Sequence, residues 1–294
     1  MSLAGYVFAY LASLLFAISD ILVRKATGRG IPPYGNLFLS LTVGIPLLAL
    51  AGLMDPPLED IAVVSAYMAV GVLHFYLGRL LFYTAVAGLG ASSSAILVSA
   101  TPLAASVMAW IMLGEDLTTR LMISLILILV ASYIAMRNPS GRPYHNVGRL
   151  LAIASGVTAV LIFSLSTVAV RWLGFMTSSP VVGALSSYVG AYPLAIATLH
   201  LGLARGGSGT GSWSKSAIVL ASLGGASVAF AQASRYTALD LISVPEASVL
   251  FGLFPVNTAL LSAFVGGEEE KPGKKHGIAA FLAFAAVVIA FYPT

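Results

Sequence analysis

The chain has 294 residues, of which 59% are hydrophobic and only 9% charged, whereas an ordinary soluble domain carries about 25% charged residues. This composition excludes a soluble globular protein and places the chain in a lipid bilayer. The formal net charge of +4 reads as Lys and Arg held in loops and not as a nucleic-acid surface, since no basic stripe with interleaved aromatics lies outside the apolar runs.

Ten apolar runs, each long enough to cross a hydrocarbon layer of ~30 Å as a helix, are read at 3–23, 33–53, 61–85, 92–113, 120–136, 147–170, 181–203, 216–239, 243–265 and 277–291. None alternates in the manner of a membrane β-strand. The expectation is an all-α integral membrane protein with ten transmembrane helices, multi-pass in the cytoplasmic membrane. The first run has neither a preceding basic residue nor a small-residue cleavage site, so it reads as a helix and not as a removable signal. No cysteine is present, which rules out disulfides and thiolate metal sites.

The first run ends with Asp20 four residues before Arg24, the favourable order for an i, i+4 ion pair. Pro32-Pro33 then sits where the first turn of the second helix accepts it, so the second helix packs antiparallel to the first. The third and fourth runs hold residues 74–115, a stretch that returns as 227–268. At an offset of 153, Tyr83-Thr84-Ala85 falls on Tyr236-Thr237-Ala238, Pro102 on Pro255 and Gly114-Glu115 on Gly267-Glu268. The first two helices return as well, at an offset of 147: Phe16 meets Phe163, Ser19 meets Ser166, Arg24 meets Arg171 and Pro46 meets Pro193. The Gly/Ser-rich stretch 202–214, including Gly206-Gly207-Ser208-Gly209, lacks the Lys of a phosphate-binding loop and reads as a linker. Glu268-Glu269-Glu270-Lys271 and Lys274-Lys275-His276 read as a solvated loop.

Two units follow, residues 1–138 and 139–294, each with five helices. An odd number of crossings starts the second unit from the opposite face, so the pair forms two inverted five-helix repeats. Such repeats give a carrier two near-equal packings, and alternating access is the expected mechanism.

The run Gly78-Arg79-Leu80-Leu81-Phe82-Tyr83-Thr84-Ala85, with Thr101-Pro102 and Leu113-Gly114-Glu115-Asp116-Leu117-Thr118 after it, resembles the EamA-domain branch of the drug/metabolite transporter superfamily. The resemblance covers nearly the whole chain as two such units. It implies a monomeric ten-helix carrier of a small metabolite, often an exporter of amino acids, with a central cavity lined by helices one, three, four, six, eight and nine. The small four-helix multidrug carriers of that superfamily place a Glu in the middle of helix one; this chain has Ser13 there. In the second unit Ala231-Gln232 replaces Gly78-Arg79, so the site is chemically asymmetric.

Ionisable residues inside spans are the candidate site residues, since a charge at the bilayer centre costs at least ~2.5 kcal/mol unless it finds a partner or water. His74, Arg79, Gln232, Arg235 and Glu246 are these, and steps of three and four put Tyr76, Arg79 and Tyr83 on one helix face. Two readings of Arg79 stay open: it grips a substrate carboxylate or phosphate, flanked by the two tyrosine rings, or it pairs with Glu246 as structure. His74 either binds ligand or proton or hydrogen-bonds a neighbouring helix, and Arg235, close to a helix end, reads as snorkelling. Pro102 and Pro255 read as kinks that free carbonyls near the midplane, and Glu115 and Glu268 as boundary residues with helix-end or gating roles.

A membrane enzyme would need a nucleophile with a base, a zinc pair or paired acids, and the four His stand apart at 74, 145, 200 and 276. No catalytic residue, metal site or cofactor is therefore expected. A lipid-headgroup or lipid-linked-sugar flippase on the same fold is the alternative to a metabolite carrier.

Orientation divides the two arguments. About eleven of the 15 Lys and Arg fall in connections after odd-numbered helices and about two on the opposite face, which puts both termini outside. The family resemblance implies termini inside. Single cysteines at Gly28 and Pro57 separate them: in intact cells the charge count expects a membrane-impermeant thiol reagent to label Pro57→Cys, and labelling of that variant only after permeabilisation overturns it.

Overall fold

Helix starts are written locally. In the computed structural model the Ser2 hydroxyl accepts from the Gly5 amide, the Asp60 carboxylate from Ala62 and the Ser214 hydroxyl from Ala217, each satisfying an amide that a helix N-terminus leaves open. Pro33 occupies the first turn of the second helix, where its missing N–H costs nothing. Gly114, with φ +68°, closes the fourth span in a left-handed cap that a β-carbon would strain.

The structure describes residues 2–56, 60–89, 91–136, 148–177, 179–204, 213–265 and 274–292. Among these the protein has ten helices long and apolar enough to cross a membrane: Leu3–Gly28, Pro33–Met54, Ile61–Val86, Ser93–Leu113, Thr119–Met136, Arg149–Gly174, Pro180–Gly202, Lys215–Leu241, Val244–Ser262 and Lys274–Phe291, here called spans 1 to 10. Large apolar side chains such as Ile111, Leu150, Phe281 and Phe284 are exposed around the outside, as a lipid solvent requires.

The halves pack in swapped pairs. Span 1 crosses span 8 antiparallel, with the Ser19 hydroxyl on the Gly224 carbonyl and the Ser227 hydroxyl on that of Leu15. Spans 6 and 3 repeat that crossing, with Gly78 against the Phe163 ring and His74 against Ser166. Spans 2 and 8 correspond in the same way to spans 7 and 3, and spans 1 and 9 to spans 6 and 4, while spans 2 and 7, 4 and 9, and 5 and 10 face their own counterparts. This is the pattern of a pseudo-two-fold. Without a hydrophobic drive between helices in lipid, close approach at small residues holds such contacts. Spans 3 and 7 approach nearest: a β-carbon on Gly71 would overlap the Ser187 carbonyl, and one on Gly190 the Met68 carbonyl.

Three local readings change. Pro102 and Pro255 do not kink continuous helices; spans 4 and 9 break just before them, at Ser99-Ala100 and Gly252-Leu253, and each helix restarts with the proline in its first turn. The two breaks obey the 153 offset. Lys274, Lys275 and His276 form the first turn of span 10 and not a loop, because the apolar face behind them extends the helix backward. Trp213, within the expected linker, is buried against Gly35. Residues 205–212, His145 and Glu268 to Lys271 lie outside the described residues.

Candidate functional site

Span 3 is α-helical over Ile61–Gly71, coils as a π-helix over Val72–Gly78 and resumes at Arg79. Its counterpart in span 8, residues 225–231, is regular α-helix. Single π turns occur often at functional sites. Here the wide turn carries His74, Phe75 and Tyr76 and delivers Arg79, so the one-face alignment expected for Tyr76, Arg79 and Tyr83 at regular spacing does not describe their contacts. The Tyr76 hydroxyl lies 3.1 Å from that of Thr198 on span 7, Arg79 stands 5.9 Å over the Phe75 ring, and Tyr83 neighbours Phe82 at 6.1 Å.

His74 reaches span 6. Its Nδ1 is 2.6 Å from the Ser166 hydroxyl, whose own hydrogen is engaged by the Phe163 carbonyl at 2.8 Å. Ser166 therefore accepts, His74 donates from Nδ1, and Nε2 is left as the remaining hydrogen-bonding atom of the ring. Phe75 and Phe163 enclose the imidazole at 4.8 and 5.0 Å.

Arg235 does not snorkel. It is 5% exposed, donating to Gln232 Oε1 at 3.2 Å and to the Thr167 hydroxyl at 2.6 Å, with the Tyr236 ring 5.8 Å away. All of these partners are neutral. Thr167, which holds Arg235, follows Ser166, which meets His74, and Arg79 stands over Phe75, the residue after His74, so a short path of contacts joins the two guanidiniums across spans 3, 6 and 8. Neither meets a carboxylate: the two salt bridges among the described residues are Arg24–Asp20 at 3.4 Å and Arg171–Glu115 at 2.7 Å.

Glu246 is not the partner of Arg79. It accepts from the Ser243 amide and hydroxyl in a capping box at the start of span 9, and from the Tyr6 hydroxyl at 2.8 Å. The Ser243-Val244-Pro245-Glu246 spacing carried that signal in the sequence. Glu115 ties four elements at the same end. It accepts from Arg171 and from the Val244 amide, while Arg171 also donates to the Leu239 and Asp240 carbonyls. Two open clefts lie at this end, one beside Phe175, Ser179 and Asp240, the other beside Tyr6, Arg171 and Glu246. Ser13, at the middle of span 1, is buried and accepts from Asn257 of span 9 at 3.1 Å.

Sequence reasoning missed Tyr188. On span 7, outside the helices expected to line the cavity, it is fully buried with its ring 4.7 Å from Phe75, and its hydroxyl has no hydrogen-bond partner. Its neighbour Ser187 is 2.8 Å from the Tyr236 hydroxyl and donates to the Tyr67 carbonyl. No motif marks Tyr188; only the close approach of spans 3 and 7 brings it in. No group of three metal-ligating side chains occurs among the described residues.

Residues 3–137 and 150–292 each match the EamA-like transporter family. The chain belongs to that family. This EamA-like chain is a multi-pass membrane transporter of a small-molecule substrate and not an enzyme. No curated protein matches its sequence. A solved crystal structure is similar to it over 99% of this chain and 97% of the other, with TM-score 0.77 at 16% identity, a likeness of fold alone.

Proposed function

We propose that the protein is a secondary carrier that exports a small metabolite bearing a carboxylate or phosphate across the cytoplasmic membrane. The halves 1–138 and 139–294 of one monomer rock against each other to alternate access. One observation carries the anionic substrate: Arg79 is half-buried within span 3, with an aromatic neighbour and no carboxylate paired with it among the described residues. Arginine keeps its proton at any usable pH. A guanidinium held this way matches the two oxygens of a carboxylate or phosphate with parallel hydrogen bonds. Export is the direction that the family resemblance implies.

Ligand-induced stabilisation tests the reading, since a ligand bound only by the folded state must raise its melting temperature. Screened against carboxylates and phosphomonoesters, the wild type should be stabilised by at least one class. Arg79→Met should abolish the shift, and Arg79→Lys, which keeps the charge but loses the fork, should weaken it about tenfold in half-saturating concentration. If Arg79→Met keeps the full shift, the anion grip is wrong. If it unfolds while Arg79→Lys melts and binds as wild type does, the residue is structural.

A further inference from the structure

The neighbourhood of Arg79 holds more than one anion's worth of recognition. Arg235 adds a second permanent positive charge, buried among Gln232, Thr167 and Tyr236, and no described acid reaches either arginine. The pseudo-two-fold does not generate this pair. At the 153 offset Arg79 falls on Gln232, and Arg235 falls on Phe82. The chain therefore carries two separate cationic positions, one from each half, joined by the contacts of Arg235 with Thr167, of the adjacent Ser166 with His74, and of Arg79 with Phe75. A monoanion bound there leaves one guanidinium without a counter-charge in a medium that penalises it; a substrate with two negative charges neutralises both. Tyr188 supplies an independent sign of a ligand. A fully buried hydroxyl without a partner forfeits a hydrogen bond that it could make, and the ring that carries this one packs on the Phe75 ring that Arg79 also approaches.

We infer that the substrate is a small organic dianion, a dicarboxylate or a phosphomonoester, bound with Arg79 and Arg235 as its two charge partners and the Tyr188 hydroxyl as a donor. This rests on the anionic-substrate reading above and narrows it. Ser166 engages His74 at Nδ1, which leaves Nε2 as the ring atom for a hydrogen bond to the substrate.

Matched probes decide it. Melting shifts of the purified full-length protein are measured with butyrate against succinate and with methyl phosphate against acetate, at constant ionic strength. The dianion of each pair should half-saturate at a concentration at least tenfold lower. Arg235→Gln should erase that advantage while monoanion binding through Arg79 persists. Tyr188→Phe, which removes one buried oxygen, should raise the half-saturating concentration of the better dianion about tenfold. Equal half-saturation of mono- and dianions in the wild type overturns the dianion and leaves the anionic reading standing. Silence from all four probes and from the wider panel overturns both. If Arg235→Gln does not fold, Arg235→Lys and the wild-type comparison still give the answer.

Discussion

Gly71→Ala should prevent the protein from folding to a monodisperse, detergent-stable form, although it adds a single methyl group. The added carbon would overlap the Ser187 carbonyl, which belongs to backbone and cannot rotate away, and Gly190 pins the same crossing from the other side against the Met68 carbonyl. Separating spans 3 and 7 to make room would break the contacts of Ser187 with the Tyr67 carbonyl and the Tyr236 hydroxyl. Ordinary overpacking costs about 1–3 kcal/mol; with buried hydrogen bonds lost as well, we expect more than ~4 kcal/mol, a large part of a typical stability. Gly28→Ala is the control, because nothing lies within 4 Å of its β-carbon. Size-exclusion profiles and melting curves of both variants make the comparison. A Gly71→Ala protein that melts as the Gly28→Ala protein does would show that spans 3 and 7 are not in backbone contact.

Arg171→Met should loosen the end of the molecule that the Glu115 contact ties together. The pair is largely buried, with side chains 15% and 9% exposed, and its members also hold the Leu239 and Asp240 carbonyls and the Val244 amide. Removing one member of a buried pair costs about 3–5 kcal/mol, because the other is left charged and alone. The counterpart at the opposite end, Arg24–Asp20, is 50% and 40% exposed, and Arg24→Met should cost no more than ~1 kcal/mol. With no native cysteine, Ile242→Cys reports cleanly on this end, since that position is 4% exposed at the edge of the cleft beside Tyr6, Arg171 and Glu246. Maleimide labelling there should be at least tenfold faster in the Arg171→Met background and unchanged with Arg24→Met. Equal rates in the two backgrounds would remove any gating role from the Glu115 contact.

The elements that could be read from sequence are those with a linear signature. Bilayer thickness sets a length of apolar helix, so the ten spans were visible as runs, and one fold used twice leaves constant offsets, so Pro102 and Pro255 announced a matched pair of irregularities. The nature of that irregularity, a break and not a bend, depends on how spans 4 and 9 pack on each other. Asp20 and Arg24 could be paired because both lie on one helix. Long-range partners could not: Glu115 and Arg171 are far apart in sequence, and the end of span 4 had to be folded against the end of span 6 before they met. Arg235 looked like a snorkelling residue by its distance from a helix end, but lateral burial decided its environment. Glu246 was weighed as a buried charge when its spacing from Ser243 already described a cap. Tyr188 had no sequence signal, because an unpartnered hydroxyl is a property of the neighbours that surround it.

The π turn of span 3 would give the proposed rocking carrier a built-in preference. The wide turn is present in one half over Val72–Gly78 and missing from the other. A carrier with identical halves would occupy its two facing states equally. In the rocking carrier proposed above, exchanging the roles of the halves would not regenerate the same structure, so the two facing states would differ in energy and the empty protein would favour one side. Apparent affinity scales with the fraction of protein that faces the ligand. A solute offered from the two sides of the membrane therefore meets one binding site with two different half-saturation concentrations. In that carrier the ratio between them would be set by the helix geometry, and the gradient alone would still decide which way net flux runs.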